Sequence, residues 1–334
     1  MTDGEPLTVT QLPDHRTVAA VLEVAGRAPS VHNTQPWRWV LDGSRLHLRT
    51  DPDRQLPAAD PHGREQIISC GAVLHHARTG FAARGWHTDT HRLPDRADPG
   101  HLAVLEFRPW PDPPAGIAVR AAAMRRRHTD RLPLLPPVDW PALAPALRRL
   151  VTPHDLTFDA LGDDARPQLA RASAHAAAAR RYDMLYQQEL RWWAGHSEPA
   201  EGIPPHALPS AAEAARVGVA RAFPAAPHSA RRAEVADCAQ LAVLASTADS
   251  PLIWLHTGEA LSAVLLECTA AGLATCALTH ITELPAARRT IAALLPRASV
   301  PQVVLRIGTA PGGEPPRPPT PRRPLADTFE IRRA

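Results

Sequence analysis

The chain has no lysine: all 37 of its basic residues are arginine. That absence removes lysine Schiff-base chemistry and the lysine of a phosphate-binding loop. Any phosphate must be held by arginine or by backbone N–H groups. Abundant alanine and proline alongside the missing lysine fit a GC-rich coding bias. Cysteine is scarce, and Cys70, Cys238, Cys268 and Cys276 form no C-x-x-C pair. No disulfide framework is expected, and free thiols in a reducing cytoplasm are. No apolar run reaches ~18 residues, the length a membrane span needs, and the stretch Met1 to Pro13 has no hydrophobic signal segment.

Other signatures are missing too. A net charge of +3 without interleaved aromatics does not make a nucleic-acid surface. His75-His76 and His87 with His91 have no partners at metal spacing. No nucleophile elbow or dinucleotide fingerprint occurs, and Gly312-Gly313 lies in a Pro-rich tail.

What is present is a helix–strand alternation. Val18, Val21, Leu22 and Ala25 fall at helical spacing within 17–27, and Pro29 ends that helix. Trp37–Leu41 and Arg45–Thr50 flank Asp42-Gly43-Ser44 as a hairpin, with Trp37 and Trp39 on one core-facing side. A helix is expected from Gly63 to Arg84 with Asp60 as its cap, closed by Gly85, then a strand over Leu102–Phe107 and a linker at 109–114. Helices follow near 115–127, 139–150 and 165–193, with Asp139 as an N-cap. Leu156 and Phe158 mark a strand. Leu252–His256 reads as a strand, Glu259–Ala271 as a helix and Gln302–Ile307 as a strand. Residues 63–107 and 258–307 share one order: helix, glycine, loop with Leu-Pro, strand. This is an architectural duplication. The expected halves are 1–114 and 115–334. Residues 194–235 match nothing in the first half and read as a lid, with Trp192, Trp193, Ile203 and Phe223 to bury.

Two short strings carry chemistry. Pro29-Ser30-Val31-His32-Asn33-Thr34-Gln35-Pro36 presents hydroxyls and amides from a loop stiffened by proline at both ends. It suits a polar heteroaromatic ring, and it equally suits an ordinary turn into the hairpin. Arg127-His128-Thr129-Asp130-Arg131 suits a phosphate, and equally a solvated basic face.

These strings, with Gly272–Cys276 and Pro301–Gly308, resemble the nitroreductase superfamily, and more narrowly its dormancy-associated, Acg-type branch. The resemblance runs over roughly 15–330. It implies an α+β nitroreductase-like fold. In ordinary members a homodimer binds FMN at its interface; here it implies two copies fused as a pseudo-dimer with one intact site. By the same resemblance Arg127, Thr129 and Arg131 would hold the phosphate, ribityl chain and pyrimidine edge. Pro29, Ser30, Asn33 and Gln35 would face the ring, with Val31 where relatives carry a second serine. Leu278, Thr279 and His280 would lie at N5, and Arg322 and Arg323 would reach the phosphate. The implied activity takes hydride from NAD(P)H through flavin N5 to a nitroaromatic or quinone-like acceptor. No protein acid or base is expected in it. Two alternatives stay open: a non-catalytic protein that sequesters FMN, and a flavin-dependent dehydrogenase of a biosynthetic pathway. A pseudo-dimeric monomer is expected, with further dimerisation open, and no membrane or nucleic-acid partner.

Overall fold

A computed structural model describes residues 11–195, 201–224, 231–232, 234–314 and 317–332. The elements run α1 (His15–Ala25), β1 (Trp37–Asp42), β2 (Arg45–Thr50), α2 (Arg64–Ala82), β3 (Trp86–Arg92), β4 (His101–Pro109), α3 (Ala115–Ala123) and α4 (Trp140–Val151). They continue β5 (Leu156–Ala160), α5 (Arg166–Ala179), α6 (Met184–Trp193), α7 (Ala211–Arg216), β6 (Gln240–Ser246) and α8 (Pro251–Ala270). The last are β7 (Ala274–Leu278), α9 (Pro285–Ala292), β8 (Val300–Gly308) and β9 (Phe329–Arg332). Among the described residues no helix is long and apolar enough to cross a membrane.

Two sheets carry the duplication. One is ordered β3-β4-β2-β1-β9 and the other β5-β6-β8-β7. Setting β9 aside, the second order repeats the first, with β1 to β4 standing for β5 to β8. Each copy is a hairpin-like pair, a long helix and a second antiparallel pair. The second sheet is wholly antiparallel; the first gains a parallel pair because β9 runs alongside β1, Trp39 opposite Phe329. The segment 317–332 therefore leaves its own half and finishes the sheet of the other.

The halves are joined through their long helices. α2 and α8 cross at Gly71 and Gly258. A Cβ on Gly71 would lie 2.1 Å from the Leu255 carbonyl oxygen, and one on Gly258 would lie 1.9 Å from that of Ile68. Only glycine permits so close an approach of two backbones. Each helix sends a side chain into the other core: Leu255 packs with Trp37, Leu46 and Phe81, and Ile68 with Leu244, Val264 and Leu305.

Several local expectations change. Residues 252–256 are the first turns of α8, not a strand: the Ser250 hydroxyl accepts from the Ile253 N–H at 3.4 Å and Pro251 opens the helix. The expected single helix over 165–193 is two, because the Asp183 carboxylate accepts from the Tyr186 N–H and starts α6 afresh. Asp60 does cap α2, its carboxylate accepting from the Gln66 N–H at 2.8 Å, although Gly63 occupies the cap position itself. Trp37 and Trp39 are core residues. The lid expectation covers 194–235, of which 196–200, 225–230 and 233 lie outside the described residues.

Candidate functional site

The loop after α1 is built under strain. His32, Asn33 and Gln35 all adopt positive φ, at 47°, 60° and 51°. Non-glycine residues rarely do so, and a run of them persists only where surroundings fix it. Here the fixing bonds are visible. The Gln35 N–H donates to Ser30 Oγ at 3.0 Å, and the Val31 N–H to Ser69 Oγ on α2 at 3.1 Å. Asn33 Nδ2 donates to the carbonyls of Gly202 and Pro321, at 2.9 and 3.1 Å. Arg323 then clamps the loop, donating to the Gln35 carbonyl and to Asp51, each at 3.0 Å.

The loop forms one wall of a cavity of about 240 Å³ at the seam of the two halves. Pro29, Ser30 and His32 face Thr129 and Arg131 and the β7 end, Cys276 to His280. Glu65, Ile68 and Ser69 of α2 and Leu261 of α8 also line it. Residues of 203–223, including Val217, Arg221 and Phe223, cover it. Phe223 sits edge-on to His32 at 5.9 Å and under the Arg131 guanidinium at 5.3 Å.

Beyond Thr129 a second cleft of about 460 Å³ opens, lined by Arg27, Arg125, Arg126, Arg127, His128 and Arg322 among others. Thr129 lines both spaces. The segment is anchored by β7: the Asp130 N–H donates to the Thr275 carbonyl at 2.8 Å, and the Asp130 carboxylate accepts from Arg232 at 3.0 Å. Among the described residues no carboxylate forms an ion pair with Arg27, Arg127 or Arg322. Among the described residues Arg127 and Arg322 donate only to backbone carbonyls, such as those of Gly26 and Arg27. Burial and then Arg27 pull the Arg127 guanidinium down to about 10, and burial with Arg127 and Arg27 brings Arg322 to about 9. Such crowding of unpaired cations prepares a site for an anion.

The charged groups lining the cavity have a different character. Arg221 pairs directly with Glu283, donates to Tyr186 Oη at 2.8 Å, and lies 4.0 Å from Glu65. Burial and then Glu283 push the Glu65 carboxyl well above its usual range. Burial holds His32 and His280 well below theirs, which favours the neutral imidazole in both.

No family model matches the chain. A Mycobacterium tuberculosis protein provisionally named NAD(P)H nitroreductase acg is 45% identical over 316 residues, covering 94% of this chain and 96% of the relative. A second protein of that organism, also provisionally named an NAD(P)H nitroreductase, is 36% identical over 325 residues, covering 96% and 93%. The chain belongs to the nitroreductase family. Among solved structures, FMN-dependent nitroreductase NfnB from Mycobacterium smegmatis in complex with NADPH is 18% identical, with TM-score 0.41, over 64% of this chain and 98% of that one.

In this nitroreductase the residues expected from the sequence fall into three places. Pro29, Ser30, Thr129, Arg131, Leu278, Thr279 and His280 meet around the cavity. Arg127 and Arg322 stand at the basic cleft. Asn33, Gln35 and Arg323 line neither space and instead hold the strained loop in shape. Glu65, Arg221 and His32 complete the cavity without having been singled out in the sequence. Glu65 sits among ordinary helix-start residues, and Arg221 lies far from both strings.

Proposed function

We propose that the chain is an FMN-dependent oxidoreductase that passes hydride from NAD(P)H to an electron-poor small molecule, nitroaromatic or quinone-like. One observation supports this most: a mainly apolar cavity and a cleft holding Arg27, Arg127 and Arg322, none of them ion-paired among the described residues, adjoin through a single shared residue, Thr129. FMN has the same two-part shape, a planar ring and an anionic tail. The donor set fits as well, since Arg27 and Arg127 each keep a buried Nε without a partner.

In this reading Arg127 and Arg322 bind the phosphate by charge-assisted hydrogen bonds. Thr129 meets the ribityl chain. Arg131 lies at the pyrimidine edge, where a cation favours the reduced ring. Pro29 and Ser30 bound one face, and the backbone at Leu278–His280 meets the N5 side. Bound FMN supplies the two-electron hydride chemistry. The protein positions the partners and excludes water. Work as a pseudo-dimeric monomer in the reducing cytoplasm belongs to the same proposal.

A second reading is favoured by the cover over the cavity: residues 203–223 close on it, as a protein that sequesters FMN requires. Anaerobic mixing of the holoprotein with NADPH or NADH separates the two. Bleaching of the flavin band, followed by its return on adding a nitroaromatic or quinone, is the expected result. A flavin that is bound yet stays oxidised would favour sequestration.

A further inference from the structure

Glu65 is 2% exposed, lines the cavity, and has both carboxyl oxygens buried without a hydrogen-bond partner. Burying a polar group unsatisfied costs stability and is rare. We propose that Glu65 is the catalytic acid that gives the acceptor its proton, an inference that rests on the oxidoreductase reading.

The surroundings disfavour the ionised form of this carboxyl. From its own helix, Arg64 turns away to Gln302, donating to the side-chain and backbone oxygens at 2.7 and 2.6 Å. From the preceding loop, Asp60 adds a second negative group. From the cover comes Arg221, whose guanidinium is already engaged by Glu283 and Tyr186. Two buried carboxyls thus share one cation, and Glu283 holds the direct pair. His32 and Arg131 face the same space from the other walls. His280 does too, with Nε2 at 2.9 Å from Ser173 Oγ. Neutral imidazoles are far weaker acids than a carboxylic acid, so neither histidine competes for the role.

The step balances for a quinone. The acceptor gains two electrons and one proton as hydride from reduced FMN. The Glu65 O–H bond breaks, and a new O–H bond forms on a quinone oxygen. Hydroquinone leaves, and water restores the proton to Glu65. In between, the Glu65 carboxylate faces Arg221 at 4.0 Å, which offsets the charge it has just acquired.

The test uses Glu65→Gln, which keeps shape and removes the acidic proton. Infrared difference spectra of the cofactor-free protein at neutral pH should contain a protonated-carboxyl band that the variant lacks. For the reaction, holoprotein is reduced photochemically, without NAD(P)H, and mixed with 1,4-naphthoquinone. Reoxidation in the variant should slow by about a hundredfold, with loss of the wild-type decline at high pH. The rate of reduction by NADPH should stay within about twofold. Equal reoxidation rates, or a Glu65 ionised in the infrared spectrum, overturn the proposal. If wild-type reduced protein ignores the quinone while Glu65 is protonated, the oxidoreductase reading fails, and the assigned role with it.

Discussion

Gly71 and Gly258 face one another where α2 crosses α8, each with its α-carbon inside the space that the other's Cβ would need. The two helices also supply Glu65, Ile68, Ser69 and Leu261 to the cavity, so the crossing sets the cavity's shape. Gly71→Ala or Gly258→Ala should destabilise the protein by ~3 kcal/mol or more, since backbone must move rather than a flexible side chain. Urea denaturation measures the loss, and a change under about 0.5 kcal/mol would contradict the packing described.

The arginine cleft predicts an unusual split between stability and affinity. Arg127→Met with Arg322→Met removes two crowded cations that bond only to carbonyls. Cofactor-free stability should change by less than about 1 kcal/mol, because relief of repulsion offsets the lost bonds. FMN affinity should fall by about a hundredfold or more. Fluorescence titration alongside thermal melting checks both halves of the statement.

Asp130 is buried and anchors the same segment through Arg232, Arg317 and the Leu132 N–H. Asp130→Asn leaves the Arg232 and Arg317 guanidiniums with Glu314 as their one remaining carboxylate partner among the described residues. It should cost about 3 kcal/mol of stability and weaken FMN binding without touching the ligand. Intact FMN affinity in a destabilised variant would separate the anchor from the site.

Acid should unfold the protein in two stages. Burial keeps His154 near 4 in the folded state against 6.5, so the unfolded chain takes up its proton first. The His154 contribution is full above 6.5 and is lost as pH drops toward about 4. Glu259 adds the second stage. Burial opposes its charge, but Arg92 and Arg78 hold it to about 2 against 4.5. Its contribution is present above 4.5 and is lost as pH falls toward 2. Urea midpoints across this range should show both declines, and Glu259→Gln should abolish the lower one while costing about 3–5 kcal/mol at neutral pH.

Phe223 bridges His32 and Arg131 over the cavity. Phe223→Ala should speed FMN release by about tenfold, read by stopped-flow fluorescence after dilution. An unchanged rate would mean that FMN leaves by another route.

Residue type and local periodicity made much of this legible. The Ala28–Trp37 string and the Arg127–Arg131 segment were visible because prolines, amides and arginines are chemically conspicuous. The helix α1, the hairpin and the duplication followed from spacing. β3 was hidden because its residues, Trp-His-Thr-Asp-Thr-His-Arg, are mostly polar on a half-exposed edge strand. Leu252–His256 misled because a short apolar run has no period of its own, and the Ser250-Pro251 start signal decides it. Asn33, Gln35 and Arg323 read as ligand contacts, yet their bonds go to neighbouring backbone and to Asp51. A sequence shows what a side chain can bond to, not which partner reaches it first. Glu65 and Arg221 were invisible for a related reason: their significance lies in sharing one charge across a fold that brings them together.

The pairing of β9 with β1 has an effect on biosynthesis. The stretch carrying Arg322 crosses from the second lobe and ties its guanidinium to carbonyls at positions 26 and 27. Hence the β1–β2 hairpin is made with one edge uncovered, and Arg27 without its bond from Arg322, until nearly three hundred further residues have been added.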